Sequence, residues 1–375
     1  MKKNNIISYL IVSFFIICMC SKSTIYSKKN PKLQIQWEKS FDEDSMYGGE
    51  SVIQTKDGGY VITGEAFNRR YGNNIFLKKV DKNGKEEWTK YFGGDQNDRG
   101  YSVIQTREQD FVIVGTTGYI GKYGGDVYLL RTDINGNEIW SNKFGDVGND
   151  KGTCVCQTKD GGFIITGSFQ TLSYREELLL LKANDKGNIE FSRLFSRGNH
   201  DGGFSVYQTS DNGYIITGFT YHNYVGGGRH VWLLKTDNKG IKEWGKIFNN
   251  SYSEIGKSVI QAQDNGYIIL CENSLIKTDY KGNVEWESLG GGNSLCITKK
   301  GDYILLNEES EGINSNLKDA VLTKIDNSGN KIWDWSFGNK LEDEGVNSIC
   351  KTKDNGFIIT GTKDIDRVWL VKIVQ

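Results

Sequence analysis

Along residues 33–375, hydrophobic and polar positions follow one another in short runs rich in Val, Ile, Tyr and Thr, each cut off by an Asp-Gly, Asn-Gly or similar pair. Runs of this kind read as strands, and the Gly-bearing pairs read as tight turns between them. No stretch carries the apolar spacing of an amphipathic helix. One unit shows the whole pattern. SVIQT (51–55) is apolar at neighbouring positions, as an innermost strand pressed on both faces should be. The KDGG turn leads to YVITG (60–64), a loop leads to IFLKKVD (75–81), and a DxxG turn returns the chain as a fourth strand carrying Trp88.

The unit recurs. Its Trp-bearing segment occurs seven times, at Trp37, Trp88, Trp140, Phe191, Trp244, Trp286 and Trp333, at spacings of 51, 52, 51, 53, 42 and 47 residues. Self-similarity at such a period signals a propeller or solenoid. The last copy of the strand triplet, SICKTKDNGFIITG followed by VWLVKIVQ, reaches Gln375 with no Trp segment after it, while LQIQWEKSF (33–41) is a Trp segment with no triplet before it. The expected fold is therefore all-β, a seven-bladed β-propeller of four-stranded antiparallel blades, closed by the N-terminal strand completing the last blade. The DxxG turns share letters with calcium loops at Asp133 to Asn137, but the Gly comes too early, and a turn explains the motif.

The motif KTDxxGNxxW, as in RTDINGNEIW (131–140), resembles the tryptophan-docking repeat of quinoprotein-type propellers, in which the outer-strand Trp packs across to the next blade. The unit WxxxFGG followed by SVIQTxDGGYxITG is similar to a family of bacterial and archaeal repeat proteins of unknown function, many of them exported lipoproteins. The resemblance covers residues 33–375 and implies propeller fold and export. Quinoprotein dehydrogenases usually have eight blades and a cofactor-bracketing pair of adjacent cysteines; this chain has no adjacent cysteines, and no cofactor is expected.

Residues 1–20 stand apart. Lys2 and Lys3 precede an apolar run, as in an export signal, and ICMC ends on Cys20 in the manner of a lipobox, with Met19 in place of the usual small residue. Lipidation at Cys20 is expected, with residues 21–32 as a tether and the propeller at 33–375; cleavage near Ser23 and simple secretion is the competing outcome. A formal charge of −1 with interspersed signs excludes a phosphate-binding field, so no nucleic-acid partner is expected. Of the seven cysteines, Cys156, Cys296 and Cys350 each fall at the strand position held by Ile53, in different repeats, and no obvious pair emerges. They read as free thiols packed as small hydrophobes.

What repeats is explained by the fold, so chemistry belongs where the repeat breaks. The loops between second and third strands vary most and carry Arg70, Tyr71, Tyr119, Tyr123, Tyr174, Arg175, Tyr221, His222, Tyr224 and Arg229 as candidate ligand-binding residues. Aromatic rings with polar tips and planar guanidinium groups concentrate binding energy. Asp98, Asp150, Asp201, Glu254 and Glu344 recur before the inner strand, either as an acidic ring able to hold a cation or as caps on turn N–H groups. His200, His222 and His230 cluster in one repeat without the usual metal-ligand spacing, so no metal and no catalytic residue is assigned. The expected function is a non-catalytic cell-envelope lipoprotein, a monomer presenting one face to an envelope protein, peptide or glycan. The alternative is an extracytoplasmic lyase or hydrolase acting on a polymer at the channel mouth.

Overall fold

The computed structural model describes residues 32–41, 46–68, 72–94, 97–118, 124–146, 148–222, 228–248, 253–310, 318–338, 342–364 and 367–375. Cys20, the export signal and the tether lie outside them.

Five antiparallel sheets of four strands each stand alone. The first is β2 (Met46–Gln54), β3 (Tyr60–Asn68), β4 (Gly72–Val80) and β5 (Glu86–Phe92); the second is β6 (Arg99–Gln105), β7 (Phe111–Thr117), β8 (Asp126–Thr132) and β9 (Glu138–Phe144). Next along the chain come β10 (Lys151–Gln157), β11 (Phe163–Gln170), β12 (Glu176–Ala183), β13 (Ile189–Phe195), β14 (His200–Gln208), β15 (Tyr214–His222), β16 (Gly228–Thr236) and β17 (Lys242–Phe248), which form one sheet of eight strands. Then follow β18 (Gly256–Gln261), β19 (Tyr267–Cys271), β20 (Ser274–Thr278) and β21 (Val284–Leu289), and β22 (Ser294–Ile297), β23 (Tyr303–Ser310), β24 (Lys318–Ile325) and β25 (Lys331–Phe337). The last sheet joins the two ends of the chain: β26 (Glu344–Lys351), β27 (Phe357–Lys363), β28 (Arg367–Val374) and β1 (Gln34–Phe41), with Gln34 opposite Val374 and Phe41 opposite Val368.

This corrects the expected blade count. Five four-stranded blades form, not seven, because the eight strands β10–β17 hydrogen-bond as a single sheet. The reason is local. The joint is one pair beyond the ends of the regular ladders: β13 has already ended at Phe195, opposite Leu178, as the other outer strands end at the matching Phe92, Phe144 and Phe248. The uncovered end of β12 then bridges in parallel to β14 through Glu176 and His200.

Middle strands are buried on both faces because each sheet is pressed between two others. All five residues of β19 are buried, and the core cluster at the joint of the chain ends takes Tyr60, Ile62 and Phe76 from one sheet and Ile358, Val368 and Leu370 from another. Outer-strand aromatics cross to the following unit: Trp37 sits on Tyr60 with ring centroids 5.7 Å apart, Trp88 on Phe111 at 6.1 Å and Trp244 on Tyr267 at 5.8 Å. The DxxG glycine serves this contact as well as the turn. Gly84 has φ +77°, and a Cβ added there would lie 2.9 Å from the Trp37 ring; Gly282, at φ +76°, stands in the same relation to Trp244. The turn closes with the Asp81 carboxylate accepting the N–H groups of Asn83 and Lys85.

Buried lysines tie the strands within a unit. Lys79, Lys182, Lys235 and Lys277 are almost wholly buried, each between an inner-turn aspartate and an outer-strand glutamate; for Lys235 these are Asp211 and Glu243, both at 3.0 Å. A charge so placed is tolerable only because it is paired and hydrogen-bonded. Between units, inner strands link through a serine hydroxyl that accepts the next strand's N–H, as in Val103 N–H to Ser51 Oγ at 3.3 Å and, across the chain ends, Val52 N–H to Ser348 Oγ at 3.3 Å. A belt of glutamines does the same at the inner turns: Lys56 N–H donates to Gln105, Arg107 to Gln157, Lys159 to Gln208, Ser210 to Gln261 and Lys353 to Gln54, at 2.8–3.0 Å.

Candidate functional site

Six inner strands share an irregularity just before their serine or cysteine, which β22 lacks. Pairing to the second strand skips one residue between Gly49 and Ser51, Gly100 and Ser102, Gly152 and Cys154, Gly203 and Ser205, Gly256 and Ser258, and Val346 and Ser348. The skipped residues are Glu50, Tyr101, Thr153, Phe204, Lys257 and Asn347. A β-bulge leaves its extra residue out of the ladder and re-aims its side chain. Three of these side chains reach the next unit, Asn347 Nδ2 donating to Gly49 O at 3.0 Å, Thr153 Oγ1 to Gly203 O at 2.8 Å and Lys257 Nζ to Asn293 Oδ1 at 2.6 Å, while Phe204 packs on Phe219 of its own sheet at 5.8 Å. A carboxylate, phenol, hydroxyl, phenyl ring, amine and amide thus occupy one repeated position around the ring of inner strands.

On this side a cleft of about 410 Å³ opens across β2–β5, β6–β9 and the start of β10, lined among others by Asn73, Asn97, Arg99, Tyr101, Asn149 and Lys151. Arg99 organises it. Its guanidinium bonds the bulged Glu50, lies 3.5 Å from Glu65, and sits over the Tyr101 ring at 5.3 Å, while Asn73 Nδ2 donates to Glu65. Burial works against the Arg99 charge, yet Glu50, Tyr101 and Glu65 together outweigh it and hold the guanidinium above its ordinary pKa. Burial also pushes up the Tyr101 hydroxyl. Lys151 has no ion-pair partner among the described residues.

The recurrent acids do not form an open ring. Asp98, Asp150, Asp201, Glu254 and Glu344 are all buried. Asp98 accepts Gly94 N–H at 2.8 Å and Gly118 N–H at 3.0 Å, pinning two loops together; Asp150 does so with Asp146 and Gln170, and Asp201 accepts Arg197 and Gly198 N–H. Glu254 accepts Asn273 N–H and Ser274 Oγ–H, each at 3.0 Å. Burial raises Asp150 to about 6 against the pull of its two N–H donors. Among the described residues, no three His, Cys, Asp or Glu side chains come together as metal ligands.

Of the loop candidates, Arg70, Tyr71, Tyr119, Tyr123 and Tyr224 lie outside the described residues, and His222 is described only as backbone at the end of β15. Of the others, the structure sets Tyr221 opposite Arg229 in the β15–β16 ladder, and Tyr174 and Arg175 lie on a separate hairpin tip. Tyr174 stands 78 % exposed on a hairpin tip at φ +60°, with Arg175 exposed beside it. Tyr221 meets His200 edge-on at 6.4 Å, and the Arg229 guanidinium covers Phe219 at 4.8 Å. His200 lies 3.9 Å from Glu176, and His230 pairs with Thr220 in the ladder. The bulge residues and Arg99 were missed by attention to loop length. Their signal is in the sequence: GGESV, RGYSV, KGTCV, GGFSV and IGKSV differ most in the letter before Ser or Cys.

Comparison with solved structures gives the fold. Streptogramin B lyase aligns over 90 % of this chain and 97 % of its own, with TM-score 0.57 and 12 % identity. The chain has a β-propeller fold. This propeller is also similar to a protein of unknown function from Dyadobacter fermentans, over 92 % of this chain and 99 % of that one with TM-score 0.52 and 10 % identity, and to Sqt1 from Chaetomium thermophilum, over 91 % and 99 % with TM-score 0.51 and 11 % identity. No sequence-family model and no curated protein matches the chain.

Proposed function

We propose that this propeller is a non-catalytic, exported, lipid-anchored binding protein that takes a polar envelope ligand, a peptide or glycan segment, at the Arg99–Tyr101 cleft. The observation that supports it is the bulge: in six inner strands one position is held out of the ladder, and there the chain changes chemistry while its neighbours repeat. A scaffold needs no such variety; a surface that reads a ligand does. The lyase neighbour raises an enzymatic reading, but carboxylates that line or border the cleft are already engaged. Asp150 has both oxygens in backbone hydrogen bonds, and Glu50 and Glu65 are engaged by Arg99.

The test is a binding array of envelope glycans and peptides with the parent protein, Tyr101→Ala and Lys151→Ala. A ligand retained by the parent and weakened about tenfold or more in both variants, with unchanged melting, supports the reading. Ligands that bind equally well to all three proteins, or are consumed on incubation, would overturn it. Radiolabelled lipid on the parent but not on Cys20→Ala tests the anchor; an unlabelled parent chain refutes it.

A further inference from the structure

We propose that the seam between β18–β21 and β22–β25 carries a notch that takes a primary carboxamide, the side chain of a glutamine presented by a peptide. The glutamine belt sets the pattern. Each belt glutamine does two things: its Oε1 accepts an inner-turn N–H of the preceding unit, and its Nε2 donates to a carbonyl of its own turn. Gln105 bonds Lys56 N–H and Gln109 O in this way, and Gln261 bonds Ser210 N–H and Asn265 O. In β22 the same position is Ile297, which can do neither.

Two backbone groups are left over, one on each side of the seam. Gln263 N–H is the counterpart of the Lys56 and Ser210 donors, Gly301 C=O is the counterpart of the Gln109 and Asn265 acceptors, and neither has a hydrogen-bond partner among the described residues. A notch of about 240 Å³ opens at this place, lined by Gln263 and Gly301 together with Ile297, Lys300, Tyr303 and Asn327. The seam therefore presents one donor and one acceptor in the arrangement that elsewhere holds a carboxamide, with the carboxamide missing and space in its stead. A carboxylate would satisfy the donor but leave the carbonyl unmatched; an alkyl group would satisfy neither. At the next seam the glutamine is replaced by Lys351, which carries donors only, so the two-sided demand for a carboxamide from outside is specific to Ile297.

The notch lies at the turn end of the inner strands, opposite the bulges, so it stands or falls independently of the cleft. The experiment uses the full chain labelled with 15N-glutamine and follows the Gln263 backbone amide, assigned from a Gln263→Ala sample. The probe is N-acetyl-Gly-Gln-Gly-N-methylamide, with the Glu and Leu peptides as comparisons. The expected result is a saturable shift of the Gln263 signal with the Gln peptide, about tenfold weaker binding of the other two, and loss of the response in Ile297→Gln, whose own side chain closes the belt and raises the denaturation midpoint. A Gln263 signal unmoved by the Gln peptide, moved equally by all three peptides, or still responsive in a folded Ile297→Gln protein overturns the proposal. Should Ile297→Gln not fold, the peptide series on the parent decides alone.

Discussion

Trp37→Ala attacks the outer-strand contact among those that hold the sheet of the two chain ends to the first sheet. Trp37 packs edge-on against Tyr60, lies over Gly84, and donates from Nε1 to Lys82 O at 3.2 Å. A fully buried Trp→Ala costs ~3–5 kcal/mol, but Trp37 is only half-buried, which brings the apolar part to ~2 kcal/mol, and the exposed hydrogen bond adds up to ~1 kcal/mol. An unfolding entropy of ~2.1 cal/mol/K per residue over roughly 340 residues gives ~0.7 kcal/mol/K, so a loss of ~2–3 kcal/mol lowers a cooperative melt by about 3–4 °C. Differential scanning calorimetry with parallel guanidinium titration measures it. Trp37→Phe, which keeps an aromatic ring on Gly84 and loses the Nε1–H donor, should recover most of the stability. If Trp37→Ala melts with the parent, the contact does not hold the ends together and the closure reasoning fails.

Lys235→Met removes the cation from between Asp211 and Glu243; because both carboxylates are about half exposed, the cost should be ~1–2 kcal/mol rather than the 3–5 kcal/mol of a fully buried pair, and a denaturant midpoint equal to the parent's would refute the staple. Asp211, although burial opposes it, is held below the ordinary carboxylate range by Thr209 and Lys235, so its contribution is complete above the unfolded value and disappears as pH falls through the folded one; Asp211→Asn should lose that acid-limb dependence in pH-resolved melts. Asp150 has the opposite sign. Its folded value of about 6 exceeds the ordinary 3.8, so its contribution is complete below about 4 and is lost as pH rises through about 6, and Asp150→Asn should flatten the stability profile between those limits. Burial pushes the Cys154 thiol to about 11 and the Cys296 thiol to about 12, so both should resist alkylation in the native protein and react fully in guanidinium, as read by mass spectrometry; rapid native labelling would contradict the packing.

The Trp period, the turn residues and the orphan strand at residues 33–41 were legible because each is set by local chemistry: an Asp that caps its own turn, a Gly that must hold positive φ, and a Trp that needs that Gly beneath it. The joining of β12 to β14 was not legible. It rests on the single bridge pair of Glu176 with His200 beyond the ends of the regular ladders, and the alternation of side chains sets which face a residue takes rather than where its ladder stops. The candidate site divides the same way. Loop variation drew attention to Tyr174 and Arg229, yet Tyr174 rises into solvent and Arg229 folds down on Phe219. The bulged position was written as one changing letter in an otherwise repeating strand, and it took the skipped register to show that this letter is set apart.

The pairing of β1 with β28 carries a consequence for how the polypeptide is made and destroyed. Glu38 accepts hydrogen bonds from Lys363 Nζ at 2.6 Å and Trp369 Nε1 at 2.8 Å, across 325 and 331 residues. Relative to a hairpin of about twenty residues, a span of this size is roughly four doublings of loop length, or ~2.5 kcal/mol of additional closure entropy. β1 therefore waits for β28, made more than three hundred residues later, and until then its edge is exposed. A stop ahead of β28 bares the edge of β27, and a clip after Phe41 that releases β1 bares the edge of β28, so lesions more than three hundred residues apart open one and the same sheet to a protease or chaperone that surveys such edges.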